Sequence, residues 1–255
     1  MQEQLRATTG DPVDHALAGL AEAARPRADR SRPVRVLDVG GGSGTRAVPL
    51  ALVGCAVTVV DSSVNALAIL HRRAEDAGVA DRVTGVQADA DRLDTVAGPA
   101  AADLVVCHHL LEQVDDPAVV LGGLAGAVRP GGYVSVLVAG RLGAVLGQTL
   151  VGRFEQARQM LTGADGRFGA ADPLRRRLDV PQLCALVESV GLVVESVSGV
   201  GVLAGLVSGA ARQAAPGGEA ELAALEAAAA VHPDLLRVAA DLHVVGRRPD
   251  TPGEG

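Results

Sequence analysis

An apolar run that stops at a cluster of glycines, Val34-Arg35-Val36-Leu37-Asp38-Val39-Gly40-Gly41-Gly42-Ser43-Gly44-Thr45, constrains this chain more than any other stretch. A short Val-rich run suits a parallel strand covered on both faces, and the segment from Thr45 to Val53 has the composition of a helix. Strand, glycine turn and helix together make a ligand cradle. Glycine backbone takes positive φ and approaches a ligand closely, and the free N–H groups that open a helix favour negative or electron-rich groups. Counted from Gly40, the dinucleotide fingerprint G-x-G-x-x-G fails at Thr45. The looser form ending in Ala is met through Gly42, Gly44 and Ala47, so a nicotinamide-dependent oxidoreductase stands as an alternative.

The same pattern of apolar strand and polar end recurs. Ala56 to Asp61 reads as a second buried strand, and a carboxylate at its end can accept strong hydrogen bonds from both hydroxyls of a ribose. The alternative for Asp61 is an N-cap of the helix that begins near Ser63. Asn65 to Ala77 is a helix closed by Gly78, Arg82 to Ala88 a third strand, and Asp89-Ala90-Asp91 the turn after it. A fourth strand starts at Asp103 and ends in His108 and His109, which face the same crevice as Gly40 and Asp61, because open α/β sheets bind ligands beyond the carboxyl ends of their strands. Two adjacent histidines cannot point the same way, so at most one meets the ligand. His108, His109 and Glu112 lack the i, i+4 spacing of a helical metal site, and no metal is expected.

Pro117 to Val128 reads as a helix, Arg129-Pro130-Gly131-Gly132 as a tight turn, and Tyr133 to Val138 as a fifth strand. Ala144 to Leu161 is an amphipathic helix and Thr162 to Asp179 a polar loop that carries Arg175-Arg176-Arg177. Pro181 to Val190 is a helix, Leu192 to Ser198 a strand, Glu219 to Ala240 a helix interrupted at His232-Pro233, and Asp241 to Gly246 the final strand. Alternating strands and helices over 255 residues give one α/β domain. Residues 1–24 form a helical cover, 30–140 the ligand-binding core, 141–178 a substrate-side insertion, and 179–250 the completion of the sheet.

Composition removes several classes of chemistry. Every one of the 23 basic residues is Arg, which excludes lysine nucleophiles, Schiff bases and P-loop lysines. The aromatic residues are Tyr133, Phe154 and Phe168 and the net charge is −7, a poor basis for stacking and neutralising nucleic acid. Cys55, Cys107 and Cys184 are scattered and form no C-x-x-C pair, which fits a reducing cytoplasm. The start Met1-Gln2-Glu3-Gln4 lacks the features of a signal peptide, and the uncharged run Ser196 to Ala211 is too short and too rich in glycine to span a membrane. A cytoplasmic protein without membrane association is expected.

The segments VLDVGGGSGT, VTVVDSS, QADAD, DLVVCHHLLEQVDDP and VRPGGYVSVLV, in this order and spacing, resemble those of the class I S-adenosylmethionine (SAM) methyltransferases over roughly residues 30 to 140. The run from His108 to Pro117, the helix ending VGRFEQARQML and the carboxyl end LHVVGRRP are most similar to the tRNA wobble-uridine carboxymethoxy methyltransferases and relatives of unassigned substrate. The resemblance implies a doubly wound, mostly parallel seven-stranded sheet whose last strand is antiparallel. It implies SAM as cofactor, with Arg6 at the methionine carboxylate, Gly40 and Gly41 at the methionine end, Asp61 at the ribose, Ala90 and Asp91 at the adenine, and Asp38, Gly42, Gly44, Ser62 and Asp89 as further cofactor-binding residues. His108 is placed at the reacting region, and His108 or His109 is the candidate base where the acceptor is a hydroxyl. The loop after Leu161, TGADGRFGAAD, departs from the basic loop of the tRNA enzymes, so a small polar or anionic acceptor is preferred and tRNA is the alternative. In that reading the three consecutive arginines hold the anionic group, and the alternative is that they form only a solvated loop. A SAM-binding fold that serves only as an interaction module is the remaining possibility.

Overall fold

A computed structural model of the chain describes residues 12–25, 31–214 and 217–250. Seven strands form one sheet in the order β3-β2-β1-β4-β5-β7-β6. They are β1 (Arg35–Val39), β2 (Ala56–Asp61), β3 (Val83–Gln87), β4 (Ala102–His108), β5 (Val128–Ala139), β6 (Val193–Val200) and β7 (Asp241–Arg247). The first five run parallel, and β7 inserts antiparallel between β5 and β6. The doubly wound sheet expected from the sequence is therefore the sheet observed, and the order of strands reverses between β1 and β4, which leaves a crevice at their carboxyl ends.

Side chains of a strand alternate between faces, and here each face has its own core. Val36, Leu104 and Val106 pack with α1 (Pro12–Ala23), α2 (Ala47–Leu52) and α3 (Val64–Asp76) through Leu17, Leu50 and Leu70. Leu37, Val39, Val105 and Cys107 pack on the opposite face with α4 (Pro117–Ala127) and α7 (Val180–Ser189) through Leu121, Leu124 and Leu183. Each fully buried leucine among these contributes about 1.5–3 kcal/mol relative to exposure. The phase of this alternation matters for the site, because Asp38 and His108 fall in register with Val36 and Val106 on the α1–α2–α3 face.

Three expected elements differ. The helix expected over 144–161 is two, α5 (Arg141–Leu150) and α6 (Phe154–Thr162), broken where Gly152 takes a φ of 76°. The turn Arg129–Gly132 lies within the long strand β5, whose pairing with β4 slips between Ala102 and Leu104 as Gly131 adopts a φ of 70°. The helix expected over 219–240 stops, as α9 (Gly218–Ala230) after the short α8 (Gly209–Ala214), before the interruption expected at His232-Pro233, and beyond it only a 3₁₀ turn over Leu236–Val238 follows.

One buried charge ties the amino-terminal edge of the core together. The Asp103 carboxylate, at the start of β4, receives both arms of the Arg32 guanidinium at 2.7 and 2.8 Å, the Arg35 N–H at 2.8 Å and Arg129 Nε at 2.7 Å. Its side chain is wholly shielded from solvent. Burial pushes its pKa up, yet the bonds from Arg32, Arg35 and Arg129 prevail and hold it below the ordinary 3.8. A carboxyl with a depressed native pKa contributes stability that is complete above 3.8 and is lost as the pH falls through the native value. Asp103→Ala is expected to cost about 3 kcal/mol, since both arginines lose the buried carboxylate that neutralises them. Urea melts from pH 3 to 7 check this: the loss should be large at pH 7 and shrink toward pH 3, and a constant difference would contradict it.

Candidate functional site

The crevice at the carboxyl ends of β1, β2 and β4 collects the residues singled out from the sequence. Gly40 N–H donates to the Val60 carbonyl at 2.8 Å, which fixes the glycine turn against β2. The glycines of this turn are required for different reasons. A Cβ on Gly41 would collide with the Asp38 carboxyl, and one on Gly44 with Leu70, so these two serve packing within the chain. At Gly42, where φ is 53°, a Cβ would meet nothing nearer than Asp61 Oδ2 at 3.8 Å. That glycine borders open space, which suits a backbone that a ligand must approach closely.

Asp61 spans the entrance. Its Oδ2 accepts from Gly42 N–H at 2.9 Å and its Oδ1 from Ser63 N–H at 2.8 Å, so it links the two loops that flank the crevice. The N-cap of α3 is Ser63, whose hydroxyl accepts from Ala66 N–H. Asp61 therefore does not act as that cap, and its remaining lone pairs are available to a ligand. Beside it a cavity of about 400 Å³ is lined by Ser62, Asp89, Ala90, Asp91, Leu110, Gln113, Val114, Asp115, Asp116, Val119 and Val120. Ser62, Asp89, Ala90 and Asp91 are thus brought together as expected; Ala90 and Asp91 open a 3₁₀ turn over Ala90–Thr95. Arg6 lies outside the described residues.

On β1, on β4 and in the loop after β4, three polar atoms are buried without a hydrogen-bond partner: Asp38 Oδ2, His108 Nδ1 and Glu112 Oε2. Desolvation raises the pKa of Asp38 to about 7, with Arg46 opposing the rise and Asp61 adding to it. A buried, unpartnered polar atom costs free energy that a ligand can recover. SAM offers what these atoms lack, an ammonium with several N–H donors and a positive sulfonium, together with an adenosine that matches the Asp61 entrance and the 400 Å³ cavity. The residues present fit the cofactor.

His108 and His109 diverge, as adjacent residues must. His108 is partly exposed but its Nδ1 is shielded, and desolvation, reinforced by the charges of His243, Arg46 and His109, holds its pKa well below 6.5. His109 adopts a φ of 55°, uncommon for a residue with a side chain, and turns outward. Its Nδ1 lies 3.1 Å from Oε1 of the buried Glu112, and that bond raises its pKa above 6.5 despite partial burial. Oε1 of Glu112 also accepts from Ala139 N–H at 3.2 Å, which fixes the carboxylate.

The three arginines, expected to hold an anionic group, are engaged within the chain. Arg177 is buried and paired with Asp172 at 2.6 Å. Arg176 donates to the carbonyls of Leu111, Val114 and Asp115, and Arg175 pairs with Asp115 while its N–H donates to the Glu112 carbonyl. The Arg176 side chain and the Arg175 N–H go to backbone oxygens that a charge count does not see, and together they clamp the loop that presents His109 and Glu112, while Arg177 is held by Asp172 and the Gly166 carbonyl. Sequence reading also missed Ser135 and His243, which stand behind His108. Their position depends on the phase of β5 and β7 in the sheet, for which no local motif exists.

Residues 1–197 match a protein-family model described as a methyltransferase domain. The chain is 40% identical over 103 residues to a ubiquinone biosynthesis O-methyltransferase of Paracidovorax citrulli, covering 39% of this chain and 41% of that protein. It is 29% identical to the enzyme of the same name from Aeromonas salmonicida, over 65% of this chain and 66% of that one. It is also 33% identical to the tRNA 5-carboxymethoxyuridine methyltransferase of Escherichia coli K12, over 48% and 46%. The matches thus span from two fifths to just under two thirds of these relatives. Among solved structures, a SAM-dependent methyltransferase from Mesorhizobium loti superposes with a TM-score of 0.57 at 18% identity, covering 89% of this chain and 95% of that one. Phosphoethanolamine N-methyltransferase 2 of Haemonchus contortus, in complex with SAM, does so with 0.56 at 17% identity, covering 92% and 53%. At these identities the structural likeness is one of fold.

The geometry separates packing glycines from the ligand-facing one, and this is testable. Gly42→Val should leave a folded protein, destabilised by about 1–2 kcal/mol for a side chain at positive φ, that no longer binds S-adenosylhomocysteine in calorimetry. Asp61→Ala should weaken the same binding by about 1.5–3 kcal/mol, the worth of hydrogen bonds to a charged group. Undiminished affinity in both variants would move the cofactor elsewhere.

Proposed function

Because this chain belongs to the methyltransferase domain family, in the class I SAM-dependent fold, we propose that it transfers a methyl group from SAM to a hydroxyl of a small acceptor, with His109 as general base. The observation that carries this reading is the His109–Glu112 pair at 3.1 Å, with one imidazole nitrogen anchored to a buried carboxylate and the ring about half exposed. SAM, when bound, supplies a sulfonium methyl that is already activated toward displacement.

The chain's own residues supply grip, alignment and a place for the proton. Gly42 and Asp61 would border the adenosine, and the cavity lined by Ser62 and Asp91 would hold the adenine. Asp38 meets the positive methionine end from inside the sheet. Glu112 fixes the Nδ1–H tautomer of His109, so that Nε2 presents its lone pair and takes the acceptor's proton as the hydroxyl oxygen becomes a nucleophile. The imidazolium that forms is stabilised by the same carboxylate. A carboxylate acceptor would need no such base, so the dyad favours a hydroxyl acceptor. The name of the ubiquinone biosynthesis O-methyltransferases gives this reading further support. The tRNA alternative rests on the relative from Escherichia coli. It is weakened by the engagement of Arg175, Arg176 and Arg177 within the chain.

Two variants test the dyad against a panel of phenols and polyols, with release of S-adenosylhomocysteine as the readout. His109→Ala should lower kcat by about 10²–10⁴, the usual contribution of a general base. In the parent protein kcat/KM should rise with pH through a value above 6.5, the direction set by the Glu112 bond. Glu112→Gln, which removes the anion, should move that limb to lower pH. A His109→Ala variant with full activity and an unchanged pH profile would exclude the base.

A further inference from the structure

Behind the crevice three polar side chains are joined across the sheet. Ser135 Oγ lies 2.9 Å from His108 Nε2 and 2.7 Å from His243 Nε2. The rings of His108 and His243 stand edge to face, with centroids 5.8 Å apart. Strand register explains the meeting. Ser135 pairs with Val106 and Leu137 with both His108 and His243, so β4, β5 and β7 present the three residues on one face. Ser135 and His243 are themselves buried.

A hydroxyl has one proton and can donate to only one of the two rings; wherever it does not donate to His108, His108 Nε2–H donates to it. In one direction His108 Nε2–H donates to Ser135, whose hydroxyl donates to His243 Nε2, and His108 Nδ1 carries a bare lone pair. In the other, His108 Nδ1 carries a proton with no acceptor, because this atom is buried without a partner. Orphaned buried N–H groups are rarer than under-satisfied acceptors.

We propose that Ser135 and His243 are positioning residues that lock His108 in the Nε2–H tautomer, so that its Nδ1 lone pair receives the positive end of the bound cofactor. The inference rests on the SAM reading of the crevice and adds that the cofactor's charge is met from two adjacent strands, by Asp38 on β1 and His108 on β4. Both rings stay neutral near pH 7, since burial depresses their basicity, that of His243 to about 4. His108 thus offers an acceptor without adding a like charge.

Long-range ¹H–¹⁵N correlation spectra of the ligand-free protein at pH 7, assigned by loss of signals in His108→Asn, test the tautomer directly. The expected result is a pyridine-type Nδ1 and a pyrrole-type Nε2 on His108. A pyrrole-type Nδ1, or averaged shifts on both nitrogens, overturns the proposal even where SAM binds. Ser135→Ala should give averaged shifts and lower cofactor affinity by about tenfold, the worth of one hydrogen bond to a charged group. Ser135→Thr, which restores the hydroxyl, should recover both. Loss toward SAM and S-adenosylhomocysteine alike assigns the lone pair to the ammonium, and loss toward SAM alone assigns it to the sulfonium. Unchanged affinity for both in a Ser135→Ala variant with averaged shifts overturns the ligand role. Absence of SAM binding by the parent protein contradicts the methyltransferase reading and leaves the tautomer result standing on its own.

Discussion

A carboxyl group buried at the end of a central strand, with one oxygen unpartnered, is the constraint on which the rest of this structure depends. Asp38 sits where β1 meets the glycine turn, and desolvation lifts its pKa to about 7. Inside a folded chain such a group must find a partner or give up its charge. Here no side chain among the described residues bonds that oxygen, and the space above Gly42 is open. An unpartnered buried oxygen at this point costs stability.

The scaffold answers with rigidity on all sides. Asp61 ties the glycine turn to the loop before α3 through two backbone N–H groups. Asp14 on α1 receives Arg46 at 2.7 Å, so the helical cover is anchored to the turn from outside. Arg176, with three carbonyl acceptors, holds the loop after β4 on which Glu112 and His109 lie. Each tie joins elements distant in sequence, and together they preorganise the crevice before any ligand arrives, which is where binding and catalysis gain most.

Much of this was legible in the sequence. Val-rich runs that end in Asp38, Asp61 and His108 gave the parallel core, and the glycine spacing gave the turn. What was not legible depends on long-range geometry. A run of three arginines reads as an anion site because charge is visible in sequence, whereas the carbonyls of Leu111, Val114 and Asp115 that occupy one of them are not. Ser135 and His243 are separated by 108 positions and meet only because β7 returns antiparallel beside β5. The break between α5 and α6 hides in the same way, since Gly152 is one of many glycines and only its positive φ marks the corner.

If Asp38 awaits a cation, binding must be linked to its proton. Calorimetric titration of SAM into the protein at pH 6, repeated in buffers of different ionisation enthalpy, measures that linkage. A carboxyl with a free-state pKa of about 7 is mostly protonated at pH 6 and ionises when the positive ligand arrives. The account predicts release of about one proton per SAM bound at pH 6, a release that fades as the pH rises through 7 and vanishes in Asp38→Asn. Binding without proton release, or the same release from Asp38→Asn, would contradict it.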